Sequence, residues 1–176
     1  MANSLIPFIS TTSQFVIPQI KHGFHSTHGV YPSDGGAWPT ANKAFYVEIF
    51  IPEIYTISQF GWINSNVTGG NFDAGIYNVD LDLIVKTGST AQTAGGQIQV
   101  VNVADTELAP GFYYVGISHD TATSRIIRGL ATDVTRTTGA RLFEQASAFP
   151  LPDPAVPVPQ TTGFILPVVL LIPPNW

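Results

Sequence analysis

The clearest period-two alternation in the chain runs from Lys43 to Ile51. Phe45, Val47, Ile49 and Ile51 fall on one face of an extended segment, with Tyr46, Glu48 and Phe50 opposite. Pro52-Glu53 ends that run. Tyr55 to Asn64 then predicts a second strand, with Tyr55, Ile57 and Ile63 on one side and Phe60 and Trp62 on the other. Asn64 to Asn71 has the composition of a loop. Phe72 to Tyr77 and Leu81 to Val85, separated by Asn78-Val79-Asp80, have the spacing of a hairpin. Gln97 to Val103 and Gly111 to Ser118 predict two more strands, joined through Ala104 to Pro110. Turn signals recur every 8–12 residues or so, the pattern of a sandwich or barrel. Helical periodicity is nearly absent; Gly139 to Ser147 is the one candidate, for a turn or two.

Several of these strands carry large apolar or aromatic residues on both faces. One face forms the core, and the other needs a second packed layer or a neighbouring subunit. The two ends of the chain read differently. Pro150 to Pro159 is a polyproline-type run leading into Phe164 to Ile172, which is rich in β-formers and uncharged. The pattern predicts an all-β chain: one antiparallel β-sandwich, jelly-roll-like, over residues 42–149. An N-terminal arm covers 1–41, and a Pro-rich C-terminal arm and terminal strand cover 150–176. An exposed, uncharged edge would aggregate, so Phe164 to Trp176 is expected to dock on an adjacent subunit or partner.

Charge sharpens this picture. Only 11% of the 176 residues are charged, and seven Lys and Arg against twelve Asp and Glu leave a formal charge of −5. An ordinary soluble domain carries roughly a quarter. So few cations cannot supply the basic footprint that nucleic acid requires. Scarce charge also predicts a surface buried against other chains, expected here as a homotrimer. Met1 to Pro7 has no basic n-region and reads as no secretory signal. Phe164 to Pro174 is about half the roughly 20 residues a spanning helix needs, and Pro167 interrupts it, so no membrane partner is expected.

Candidate chemistry is sparse. The chain has no Cys, which excludes disulfides, thiolate zinc sites and Cys nucleophiles together. His22, His25 and His28 are the candidate metal ligands, spaced by three, but Gly23 and Gly29 argue against a helix that would align them. A polar loop accounts for the same letters, although a threefold axis would gather copies of them. Asp80 with Asp82, and Asp105 with Glu107, have spacing usable for calcium, yet solvated carboxylates at a hairpin tip fit better. Gly116-Ile-Ser-His-Asp120 sets Ser118, His119 and an Asp side by side. It lacks the closing glycine and following helix of a nucleophile elbow, and Ser118 and His119 point to opposite faces of a strand. No catalytic residue and no cofactor is expected. Trp38, Trp62, Tyr46, Tyr55, Tyr77, Phe112, Tyr113 and Tyr114 could stack against sugar rings, but aromatics on strands read first as core or interface. Trp38, Trp62, Tyr113, Phe164 and Trp176 are the candidates for a subunit interface or a glycan-stacking platform.

One longer pattern remains. Asn42 to Gly61 supplies an aromatic strand, a proline and a strand ending in glycine. Gly75-Ile-Tyr-Asn78, Thr87-Gly-Ser89 and Leu108-Ala-Pro-Gly-Phe-Tyr-Tyr-Val-Gly-Ile-Ser118 follow in order. This succession, from Asn42 to Ser118, resembles β-sandwich modules of tailed-bacteriophage virion proteins, of the capsid cement or decoration type and the tail-fibre type. The resemblance implies a non-enzymatic structural protein on the virion exterior. Its partners would be the major capsid protein or other virion proteins. The alternative it implies is a tail-fibre or tail-tip module that binds host-surface glycan. It transfers no catalytic residue, and the His-bearing segment and the Pro-rich tail lie outside it.

Overall fold

The computed structural model describes residues 36–93, 95–130, 142–160 and 165–174. Fourteen strands and no helix occur among them. In chain order these are β1 (Gly36–Ala37), β2 (Lys43–Ile51), β3 (Tyr55–Ile63), β4 (Asn71–Tyr77), β5 (Leu83–Lys86), β6 (Thr90–Ala91) and β7 (Ile98–Leu108). They continue with β8 (Gly111–His119), β9 (Arg125–Ile126), β10 (Arg128–Leu130), β11 (Leu142–Gln145), β12 (Val158–Pro159), β13 (Ile165–Pro167) and β14 (Val169–Ile172).

The larger sheet runs β12-β11-β2-β8-β4-β5, with β6 also on β4, and the smaller runs β14-β3-β7; every pairing is antiparallel. The alternation of β2 decides how they stack. Phe45, Ile49 and Ile51 join Val115 and Ile117 of β8 and Phe72, Ala74 and Ile76 of β4 on the inner face. Ile57, Phe60 and Trp62 of β3, Leu108 of β7, and Val169 and Leu171 of β14 meet them from the smaller sheet. The result is an antiparallel β-sandwich, as the strand pattern predicts. Trp38, expected in an arm, packs edge-on against Phe45 and Phe72 and belongs to this core.

Part of the outer face of the larger sheet is also buried, and the chain covers it itself. Ala44, Tyr46 and Tyr77 pack there with Ala148 and with Leu151 and Ala155 of the Pro-rich segment. Tyr46 and Tyr77 lie edge to face at 5.5 Å over Gly116. A Cβ on Gly116 would stand 3.0 Å from both rings, so glycine here lets the two aromatics approach the sheet more closely than any other residue would.

Three expectations change here. The segment expected to leave the domain straps its own sheet: Pro150, Pro152 and Pro154 lack N–H groups, so the face supplies the donors instead. Lys86 Nζ donates to Leu151 O at 2.6 Å and Tyr77 Oη to Pro152 O at 2.9 Å. The terminal run likewise pairs β14 with β3 of the same chain, and all four of its side chains are buried. Finally, the region expected to be helical holds β11, because Leu142 to Gln145 meets the edge of β2.

Candidate functional site

His119 ends β8 on the inner face, wholly buried, with Phe72 at 3.9 Å and Trp38 at 6.0 Å between ring centroids. Its Nε2 lies 2.9 Å from Ser124 Oγ, and its Nδ1 meets the backbone of Thr121. Burial holds this imidazole below its ordinary value, against the Thr121 backbone and the Asp120 charge, which favour the proton. Asp120 Oδ1 stands 3.7 Å from Nδ1, but its carboxylate is engaged by Asn71 N and Nδ2 at 2.8 and 2.7 Å. Burial works against the charge of Asp120, and the Asn71 donors and His119 outweigh it, so its pKa is lowered. A Ser, His, Asp constellation therefore does form, with Ser124 in place of Ser118. Ser124 is 1% exposed and His119 0%, so Oγ is closed to any substrate. The group ties the loop from Thr121 to Ser124 onto the sheet.

Ser118 faces the other way, as alternation requires. It stands in register with Asp73, and its Oγ is buried with no hydrogen-bond partner among the described residues. Asp73 accepts from Leu151 N–H at 2.9 Å and lies 3.5 Å from Lys86 Nζ. Burial raises its pKa, against the Leu151 N–H, the Lys86 charge and the Thr87 hydroxyl. Asp73, Lys86 and Ser124 were not singled out by the sequence. The signal for Asp73 was present: a lone carboxylate in an otherwise uncharged strand, Phe72 to Tyr77.

The remaining candidates are distributed over the molecule. His22, His25, His28, Phe164 and Trp176 lie outside the described residues. Trp38 and Trp62, at 2% and 0% exposure, are core residues, both packed on the Phe72 ring and turned away from solvent. Tyr113 is half-buried against the core, with its hydroxyl on Ala109 O at 2.8 Å. Tyr55 is likewise tied to Leu171 O, and burial pushes its hydroxyl up to about 12. Asp80 and Asp82 form a turn stapled by Asn78, whose Oδ1 accepts from both backbone N–H groups at 2.9 Å. No group of three or more His, Asp or Glu among the described residues is placed to hold a metal.

Two surfaces among the described residues bear on function. Where β7 bulges opposite Ser58, a cleft of about 360 Å³ is lined by Ser58, Gln59, Asn102, Val103, Asp105, Pro173 and Pro174. Ser58 Oγ donates to Asp105 at 2.6 Å and Gln59 Nε2 to Asn102 at 2.8 Å. Amide and carboxylate groups beside a proline wall can hydrogen-bond a polyol. The second surface is the end of the sandwich where the β2–β3 and β7–β8 turns meet. Ile54 is 65% and Phe112 54% exposed there, and Phe112 rests on Phe50 at 5.0 Å. Comparison with protein-family models, curated proteins and solved structures finds no match to this chain.

Proposed function

We propose that this chain is a non-enzymatic structural protein of a tailed-phage virion, a cement or decoration protein on the outer capsid surface. The observation that carries the reading is the apolar end of the sandwich. Ile54, in the β2–β3 turn, and Phe112, at the start of β8, stand exposed at one end of a chain with only 11% charged residues. Apolar surface at a domain tip is stabilised by contact with another protein, at about 25 cal/mol per Å² before association costs. The major capsid protein is the partner this reading assigns, and the protein acts by adding buried area across capsomer junctions. The resemblance of Asn42 to Ser118 to virion sandwich modules supports the same assignment. Quantitative mass spectrometry of purified virions tests it. Hundreds of copies per particle, lost when Ile54 and Phe112 are both changed to Asp, are expected; a particle free of this chain overturns the reading.

The cleft beside Ser58 favours a second reading, a tail-fibre or tail-tip module that binds host-surface carbohydrate. It predicts at most a few dozen copies per particle and glycan binding that Asp105→Ala abolishes.

A further inference from the structure

At eleven residues, β7 is the longest strand among the described residues, and it is an edge, paired with β3 alone. On its other side alternate residues direct N–H and C=O groups away from the sheet, with no strand among the described residues against them. Such edges recruit further strands unless charge, proline, a bulge or shortness blunts them.

The other edges of this sandwich are blunted. β14 is four residues long, between Pro167 and Pro173. β12 is two residues and ends in Pro159, and β5 is four and ends in Lys86. The second half of β7 is protected too, by the bulge opposite Ser58 and by Asp105 and Glu107. The first half is not. Ile98 to Val103 reads Ile-Gln-Val-Val-Asn-Val, with no charge, proline or glycine. Ile98 is 50% and Val100 39% exposed.

We propose that β7 pairs antiparallel with β7 of a second copy of this chain, across a twofold axis at Val100, joining two three-stranded sheets into one of six. Residues facing each other across a strand pair must lie on the same side of the sheet. A register centred on Val100 meets that condition: it sets Val100 against Val100 and Ile98 against Asn102, and keeps the bulge outside the paired segment. Charge selects the direction. Parallel in-register pairing would stack Asp105 on Asp105 and Glu107 on Glu107. The antiparallel pair instead holds the two Asp105 side chains about 33 Å apart, at roughly 3.3 Å per residue. A head-to-tail alternative, β7 on β14 of another copy, meets the prolines that bracket β14. The self-complementary contact closes as a dimer. That stoichiometry replaces the trimer expected from composition, and it holds wherever the protein works.

The test uses the full chain in solution. Sedimentation equilibrium at micromolar concentration is expected to give a dimer, and the outward amides of Ile98, Val100 and Asn102 are expected to exchange more slowly as concentration rises. Val100→Lys sets two like charges face to face and is expected to weaken association roughly tenfold, as is Val100→Glu. An equimolar mixture of the two variants should restore it. A monomer throughout the range overturns the proposal. So does an oligomer indifferent to both variants, or protection of the Ile98, Val100 and Asn102 amides that does not change with concentration. The exchange measurement needs only the unmodified chain, so the proposal stays testable even if a variant fails to fold.

Discussion

The buried carboxylate of Asp73 lies 3.5 Å from the ammonium of Lys86, and both groups hold the backbone of Leu151, one at its N–H and the other at its C=O. A sheet, its edge and the Pro-rich strap meet at this ion pair. Asp73 is wholly buried while Lys86 keeps 31% of its side-chain surface, so the lysine is the partner that can be removed without opening the core. Lys86→Met should destabilise the domain by about 2 kcal/mol at neutral pH, because a buried carboxylate is left without its cation. The folded-state pKa of Asp73 is already raised and would rise further. The folded variant then takes up a proton at higher pH than the unfolded chain does, so acid should narrow the gap in melting temperature between variant and parent. A gap that stays constant with pH would assign the loss to packing instead.

Ser118 offers the converse case. Its hydroxyl is buried beside Asp73 with no hydrogen-bond partner among the described residues. Ser118→Ala removes an unsatisfied polar atom and almost no volume, so stability should rise by about 1 kcal/mol. Denaturant melts of the two proteins decide it; a loss would mean that the hydroxyl is bonded in solution.

His119 makes the fold sensitive to mild acid. Burial lowers its folded-state pKa below the ordinary 6.5. Below about pH 6.5 the unfolded chain therefore binds a proton that the folded chain resists, and stability falls until the folded pKa is reached. His119→Gln should flatten the slope of melting temperature between about pH 7 and about pH 5. If parent and variant run parallel over that range, the imidazole contributes nothing to the acid response.

Strand existence was legible and its company was not. Phe45, Val47, Ile49 and Ile51 alternate because one side of β2 faces the other sheet, and that period is local. Likewise Asn78-Val79-Asp80 marks the β4–β5 turn through the Asn side chain itself. By contrast, β11 has no local signal and forms because β2 has a free edge. Trp38 and Trp62 carry no mark that separates a core indole from an exposed one when both faces of the sheets are apolar. Ser124 reaches His119 only through the loop between them. The prolines of the strap posed a symmetrical problem. Poverty in backbone donors suits a segment leaving the domain and equally suits one lying on a face that supplies donors, such as Lys86 and Tyr77.

The strap and β14 can be tested by removal. Leu151 and Ala155 are 1% and 4% exposed over Tyr46 and Tyr77, and Leu171 and Ile172 are fully buried on either side of the smaller sheet. Burying a side chain of this size contributes about 2 kcal/mol, against a total domain stability of about 5–15 kcal/mol. Deleting residues 150–176 takes away several such side chains, exposes two tyrosines and turns β3 into an edge. The shortened chain should therefore show no cooperative thermal transition. Leu151→Ala alone is the graded version: it should cost about 2–4 kcal/mol, because the strap cannot collapse onto a flat sheet to fill the space. A shortened chain that melts cooperatively and keeps the amides of β2 protected would return the tail to the role of an arm that docks on a neighbour.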